Sequence, residues 1–578
     1  MTDAPRPRPW GRLLALAPLV LLVAFVAAGE RAARRRTLHV LNSTRFAAEV
    51  RVGDGPTLTV QPGARVDVPV AEGEHTARVD RGDGQPLDVL LTVRTPWLSR
   101  LTARPLFVLD VGGASPLLVE QAVYGDDDTR PVPPRLLAGQ PFVALDHVDV
   151  AFAPFPKEVE SDRAVTRTRV DLVPGGPAEV LARLARVAPL AARLDWAELR
   201  LSLDPRDEDL VAAYRALVAS DADRARALAF LEAGLALRPA PIVWHRCYQD
   251  LSRARGGEEA LAARYATLVA EAPEDAGLLY LAGRLEPEPD HARARYEAAL
   301  ALDPDCAFAW HGLAFLALAS GDAAEAVRCA DAAARLRPDD PEVASVRHGA
   351  RLAAGRLDDL RVDLEAALAT RPLSFNALRP LLEVLWLQGR EDDARARHEA
   401  FVATAREQAP AHADGLAALS TAALADLRAD PDALQAAAAR SPGERRAALL
   451  LAAHLGRGDV QAAAAVVETS LPGEPRPALL VSVGFARAGD AEQARAWRLR
   501  AAEALAGGTR RERRVADLLR ADRAPTPADL DRVALPPVEA ATLCAALAGA
   551  WPEAAAWLEA RAARACHGRY FPAWYLRR

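Results

Sequence analysis

Glycine and proline recur along the middle of this chain with a fixed spacing of 34 residues. The residues that set this period are Gly321, Gly355 and Gly389, and Pro304, Pro338 and Pro372. A period of this size is typical of a solenoid, in which each unit buries its apolar face only against its neighbours. The sequence therefore predicts an elongated repeat array, a kind of architecture that usually acts through its surface.

The clearest single unit runs from Ala307 to Asp340 and contains two stretches with helical periodicity. Gly321 separates the two stretches, and Pro338 stops the second one. The residues on their apolar faces are Trp310, Leu313, Ala314 and Ala317, followed by Ala326, Ala330 and Ala333. Because most of these side chains are small, two helices can approach closely, so each unit is predicted to be an antiparallel helical hairpin.

This pattern resembles the tetratricopeptide repeat, whose signature is W-x2-L-G-x2-Y, then A-x3-F, then P. Trp310, Leu313, Ala326 and Pro338 match that signature, and Ala314 stands where the family prefers glycine. More degenerate units extend the resemblance over residues 178–578. It implies an all-α superhelical solenoid of helix-turn-helix units that binds proteins or peptides on its concave face. The signature residues themselves pack helices together, so they do not identify a partner.

Residues 37–173 have a different sequence pattern, in which apolar and polar residues alternate. Val66, Val68 and Val70 show this period of two, and glycine-rich turns separate such runs. The pattern predicts an all-β, sandwich-like domain, with a buried strand near Phe107 and Val108. Residues 37–95 resemble PEGA-type or carboxypeptidase-regulatory-like β-domains of bacterial surface proteins. The alternation leaves open whether residues 100–173 complete this domain or form a second one.

The amino-terminal part contains an uninterrupted apolar run over residues 13–29, after a short tail of residues 1–12. As a helix, the run would extend about 25 Å, enough to cross a hydrocarbon core. It exceeds the usual apolar core of a signal peptide, which remains the alternative. We therefore expect a single-pass transmembrane anchor. Three arginines in the short tail favour an extracytoplasmic location for the bulk of the chain.

Composition and motifs point away from several function classes. The net charge of −6 argues against a dedicated nucleic-acid binder. Five scattered cysteines form no CxxC pair and predict neither a disulfide framework nor a zinc site.

Asp146, His147 and Asp149 suggest a catalytic or metal trio, but strand alternation would put Asp146 on the opposite face. The exposed acidic loop at 126–128 lacks the spacing of a calcium site. No cofactor or metal is expected.

Two features near the carboxyl terminus have structural interpretations. The arginine cluster at residues 510–514 is interrupted by Glu512, which favours a solvated helix start over a phosphate-binding patch. Cys566-His567 lacks the spacing of haem attachment, and aromatic residues follow it. We expect those aromatic residues to cover the open end of the last repeat.

A partner is predicted to bind where the first helices of successive units line a concave groove. The candidate residues lie off the packed face of two such helices: Phe308, His311, Phe315, Asn376, Arg379, Glu383 and Trp386. Aromatic and arginine side chains are typical anchors of such grooves. The alternative is that Phe308, Phe315 and Trp386 fill gaps between neighbouring hairpins.

The sequence as a whole predicts four parts: a tail (1–12), an anchor (13–29), a β-sandwich-like domain (37–173) and a solenoid (178–578). The predicted function is that of a non-catalytic, membrane-anchored scaffold for partner proteins. Two alternatives remain, an envelope enzyme and a carbohydrate- or cell-wall-binding protein. Both would place the site in the β-domain and use the repeats for recruitment.

Overall fold

A computed structural model describes residues 35–81, 86–95, 105–124, 132–159, 164–253 and 257–577. The chain divides into two compact units, Met1–Leu235 and Ala236–Arg578. Within the described ranges, no helix combines the length and apolarity needed to cross a bilayer. The predicted anchor (13–29) and the acidic loop (126–128) lie outside those ranges.

The β-domain of the first unit has twelve strands in the part of the chain that the structure describes, arranged as three four-stranded sheets. The first sheet has the order β10-β7-β1-β4, the second β3-β2-β5-β6 and the third β11-β12-β8-β9. The strands are β1 (Arg35–Leu41), β2 (Ala48–Val52), β3 (Thr57–Val60), β4 (Arg65–Ala71), β5 (Gly73–Asp80), β6 (Leu87–Val93), β7 (Leu106–Asp110), β8 (Leu117–Tyr124), β9 (Arg135–Leu137), β10 (Phe142–Leu145), β11 (Val150–Ala151) and β12 (Val165–Leu172).

The first sheet lies between the other two, because its central strands are apolar on both faces. Phe107 and Leu109 of β7 pack into one core with strands of the second sheet. Leu106 and Val108 of the same strand pack into another core with strands of the third sheet. The predicted buried strand is thus present. Since β1 pairs with β7 in parallel, the second half of the region completes the first domain instead of forming another.

Four helices follow the β-domain in the first unit: α1 (Pro177–Leu184), α2 (Leu190–Leu203), α3 (Glu208–Leu217) and α4 (Asp221–Glu232). Helix α2 is joined to the β-domain by polar contacts as well as packing. Trp196 donates its indole N–H to the carbonyl of Ala114 at 2.9 Å. The Arg200 guanidinium donates to the carbonyl of Ser43. These helices belong to the same compact unit as the sheets.

The second unit is helical in its described residues, and its helices form successive antiparallel hairpins. They are α5 (Ile242–Arg253), α6 (Glu258–Glu271), α7 (Ala276–Gly283), α8 (Pro289–Leu302), α9 (Ala307–Ser320), α10 (Ala323–Leu336), α11 (Pro341–Ala353), α12 (Leu357–Thr370), α13 (Phe375–Leu387), α14 (Glu391–Gln408), α15 (Ala413–Leu427), α16 (Pro431–Ala439), α17 (Gly443–Arg457), α18 (Val460–Ser470), α19 (Pro475–Arg487), α20 (Ala491–Ala506), α21 (Arg510–Arg520), α22 (Pro527–Asp531), α23 (Pro537–Ala548), α24 (Ala555–Ala565) and α25 (Ala573–Leu576).

The periodic glycines make the turns inside the hairpins, as predicted. Gly321, Gly355 and Gly389 have φ values of 85°, 68° and 73°, in the left-handed region that favours glycine. After Gly321, the side chain of Asp322 caps α10 by accepting from the Glu325 amide at 3.0 Å. The solenoid of helical hairpins is therefore confirmed.

The expected elongated array is wrong for this unit, because helix α21 returns to the first hairpins. Arg514 lies 2.7 Å from Glu288 of the turn before α8, and Arg513 lies 3.3 Å from Glu258 of α6. The Arg511 guanidinium lies over the Phe315 ring of α9. We call this contact, between residues 509–534 and residues 253–316, the seam. The basic cluster is thus engaged in tertiary contacts and is not a solvated helix start.

Candidate functional site

An open groove of about 760 Å³ runs across the first helices of four consecutive hairpins, α11, α13, α15 and α17. We call it the inner groove. Its lining is mainly apolar, with a smaller set of polar side chains. The lining residues are Pro341, Ala344, Ser345, His348, Leu364, Phe375, Asn376, Arg379, Pro380, Leu419, Ala422, Ala423, Asp426, Arg445 and Leu449. Such a surface can hold an extended or helical segment without any chemistry of its own.

The exposed polar groups of the inner groove are mostly cationic or neutral. Asn376, Arg379 and Arg445 are exposed to solvent. His348 is half-buried, and burial lowers its pKa although the charge of Glu383 opposes this shift. His348 is therefore neutral at pH 7, and the groove offers two guanidinium groups, an amide and an imidazole as hydrogen-bonding groups.

The carboxy-terminal segment Cys566–Arg577, which we call the strap, crosses these same helices. Glu383 of α13 accepts hydrogen bonds from the amides of Arg569 at 2.6 Å and Tyr570 at 3.3 Å. Asp426 of α15 accepts from the Phe571 amide and from the Trp574 indole, both at 2.8 Å. The buried carboxylate of Glu383 and the half-buried carboxylate of Asp426 thus fix the strap by its backbone and its tryptophan.

The strap continues over α17 and α19, where helix glycines make room for its aromatic rings. A Cβ atom on Gly456 would lie 3.2 Å from the Trp574 ring, and one on Gly484 would lie 3.1 Å from the Tyr575 hydroxyl. Arg487 donates to the carbonyls of Tyr575 and Leu576. The aromatic residues therefore cross four repeats. The prediction that they cover the end of the last repeat is wrong.

A second cavity, of about 900 Å³, shares part of its wall with the inner groove. Arg379, Asp426 and Leu449 line both spaces, and Phe571 and Pro572 of the strap line the second. Helices α17, α19, α21 and α23 supply most of its remaining surface. The strap therefore forms part of the inner surface of the array.

Four of the seven predicted site residues lie on α13, in three different settings. Asn376 and Arg379 line the inner groove, and the Arg379 guanidinium also lies 4.0 Å from the centre of the Tyr570 ring. Glu383 is only 7% exposed, because the strap covers it. Trp386 is half-buried against the apolar cluster around Leu378.

The other three predicted residues lie on α9, away from the inner groove. Phe308 is 6% exposed and lies under the guanidinium groups of Arg246 and Arg337. Its predicted exposure is wrong, since it fills a gap between hairpins. Phe315 is half-buried and lines the seam. His311 is half-buried, and burial lowers its pKa. The seven residues do not form one surface.

The β-domain residues that suggested a trio do not converge. Strand β10 ends at Leu145 and β11 begins at Val150, so all three lie in the connecting loop and not on one strand. Asp149 accepts from Arg167 at 2.6 Å and from the Thr168 amide at 2.8 Å, which is a structural role. Within the described ranges, no group of three or more metal-binding side chains occurs. All five cysteines are buried, and none of them forms a disulfide bond.

These features define a class of protein, a helical-hairpin solenoid with a groove on its first helices. The family model described as tetratricopeptide repeat matches residues 288–347, which include α9 and α10. The predicted resemblance to the tetratricopeptide repeat is therefore confirmed over residues 288–347. No curated protein matches it.

Three solved structures are similar to parts of this chain at low sequence identity. Yeast Tom70 is 12% identical, with 57% of this chain and 84% of that chain covered and a TM-score of 0.32. The APC/C hetero-tetramer Cut9-Hcn1 is 13% identical, with 68% of this chain and 84% of that chain covered and a TM-score of 0.23. The P58(IPK) TPR domain is 14% identical, with 49% of this chain and 98% of that chain covered and a TM-score of 0.15.

Proposed function

We propose that this protein is a non-catalytic scaffold that binds a segment of a partner protein in the inner groove. The observation that carries the proposal is the groove itself, because four consecutive first helices supply one apolar surface edged by exposed Asn376, Arg379 and Arg445. Arginine beside buried apolar area is a common binding anchor. The partner segment is expected to present apolar side chains together with hydrogen-bond acceptors.

The proposal includes attachment to a membrane through residues 13–29, with the bulk of the chain extracytoplasmic. Its support is the length of the apolar run and the arginines that flank it. An anchor of this kind would concentrate partners at the membrane surface. Protease added to intact cells should cleave the solenoid, whereas full protection that is lost on lysis would place it on the cytoplasmic side.

Site-specific crosslinking tests the groove. A photoreactive phenylalanine analogue at Asn376 should crosslink a partner in cells that produce the full chain. The same analogue at Glu399, exposed on the second helix α14, serves as the control. The double variant Asn376→Ala, Arg445→Ala should reduce capture of the crosslinked partner at least tenfold. Arg406→Ala on α14 should leave capture unchanged. Equal crosslinking from both positions would reject the groove as the binding surface.

A further inference from the structure

A partly open cavity of about 220 Å³ lies in the seam, between the first hairpins of the array and helix α21. Two carboxylates, Glu258 and Glu286, and six guanidinium groups line it. The six belong to Arg253, Arg284, Arg510, Arg511, Arg514 and Arg532. The aromatic rings of Tyr296 and Phe315 form part of the wall. The lining thus carries a clear excess of positive charge.

The two carboxylates already have partners of their own. Glu258 accepts from the backbone amide of Arg510 and lies 3.3 Å from Arg513. Glu286 lies 3.2 Å from Arg295, which does not line the cavity. Arg253 also lies 3.8 Å from Glu258. Three more of the lining guanidinium groups pair with carboxylates outside the cavity, Arg284 with Asp250, Arg510 with Glu259 and Arg514 with Glu288. Among the described residues, Arg511 and Arg532 are left without an ion pair, so the uncompensated positive charge of the lining lies on these two side chains.

Two of these arginines have unused donor capacity. In the part of the chain that the structure describes, the Arg511 side chain makes no hydrogen bond or ion pair. It is exposed to solvent, and its guanidinium lies 5.2 Å from the centre of the Phe315 ring. The Arg253 guanidinium donates to the Arg284 carbonyl, but its Nε is buried without a hydrogen-bond acceptor among the described residues and lies 3.8 Å from Glu258. Burial lowers the pKa of Arg253, and the charge of Arg284 lowers it further. An anion would relieve this cost.

We propose that the seam cavity binds a small phosphate-bearing anion, held by Arg253 and Arg511, and that the bound anion stabilises the closed array. Guanidinium groups match the geometry of phosphate oxygens, and the cavity is too small for a peptide. The site depends on side chains, because the capping box of Thr509 and Glu512 already occupies the amino terminus of α21. Since Arg253 and Arg511 lie on opposite sides of the seam, binding favours closure by mass action.

Calorimetric titration of the purified full chain tests this site. Pyrophosphate and inorganic phosphate are the two probes, and sodium chloride at matched ionic strength is the reference. At least one probe should bind saturably with one site per chain and raise the unfolding temperature. A preference between the probes distinguishes a diphosphate from a single phosphate group. Arg511→Gln should weaken binding at least tenfold, whereas the control Arg406→Gln on α14 should keep wild-type affinity.

Three results would overturn the proposal: no saturable binding of either probe, wild-type affinity in Arg511→Gln, or equal stabilisation by sodium chloride. Circular dichroism first establishes that Arg511→Gln is folded. If it is not, Arg532→Gln undergoes the same titration with the same criterion. The Arg532 side chain makes no ion pair within the described residues, so its removal leaves the seam contacts intact. This test does not involve the inner groove.

Discussion

At the scale of single residues, His245 makes the stability of the helical unit depend on pH. It is fully buried on α5, where Nδ1 lies 2.9 Å from the Tyr265 hydroxyl and Nε2 has no hydrogen-bond partner among the described residues. Burial, reinforced by the charge of Arg238, lowers its pKa from 6.5 to about 4. The folded protein therefore keeps this imidazole neutral at pH values where the unfolded chain protonates it.

We expect neutral His245 to contribute its full share of the free energy of unfolding above pH 6.5. That contribution should disappear as the pH falls towards 4. The unfolded state binds the extra proton in this window, so acid favours unfolding by roughly 3 kcal/mol at this residue. Urea unfolding at several pH values measures the slope. His245→Gln should have a shallower slope than the wild type, and identical slopes would contradict the assignment.

Asp426 provides a second test at this scale, because one carboxylate oxygen accepts from both the Phe571 amide and the Trp574 indole. Asp426→Ala should cost about 2–4 kcal/mol, since both buried donors lose their acceptor. Asp426→Asn keeps an acceptor oxygen and removes the carboxylate. Burial raises the pKa of that carboxyl group, so holding it charged is unfavourable. The cost of this variant in urea unfolding should be below ~1 kcal/mol. Equal costs for the two variants would show that charge, and not hydrogen bonding, holds the strap.

At the scale of elements, the strap stabilises several hairpins that are distant from it in sequence. Trp574→Ala should cost about 3–5 kcal/mol, because a buried ring is removed. Hydrogen exchange of amides in α17 and α19 should accelerate, whereas α9 and α10 should keep their protection. Trp310→Ala is the matched control, since Trp310 donates to the Pro304 carbonyl in the turn just before its own repeat and should affect α9 and α10. Faster exchange confined to the strap itself would contradict this prediction.

The elements differ in how far the sequence predicted them. The hairpins were predictable because their turns and apolar faces are encoded within 34 residues, as Gly321 and Pro338 show. Strand β7 was predictable from its continuous apolar run. The strap was not, because Glu383 and Arg569 are 186 residues apart and no periodic pattern links them. The available signal was glycine inside helices. A Cβ atom on Gly456 would crowd Pro431 as well as Trp574, and one on Gly484 would crowd Val460 as well as Tyr575.

At the scale of the whole molecule, the two compact units predict where the chain can be divided. A fragment of residues 236–578 should fold on its own with a helical circular dichroism spectrum and cooperative unfolding. A fragment of residues 35–235 should be more stable than one that ends at residue 173. The shorter fragment loses the contacts of Trp196 and Arg200 with the β-domain. Equal unfolding midpoints for the two fragments would contradict this division.

The seam has a consequence for how this protein can change during evolution. A linear array can lose or gain a hairpin at modest cost, because each unit contacts only its neighbours. Here Arg513 and Arg514 must reach Glu258 and Glu288 across the whole array. Deleting one hairpin would shift α21 by about 10 Å, the width of one helix, and separate these partners. Closure therefore fixes the number of hairpins, so that variation is confined to side chains and surface loops.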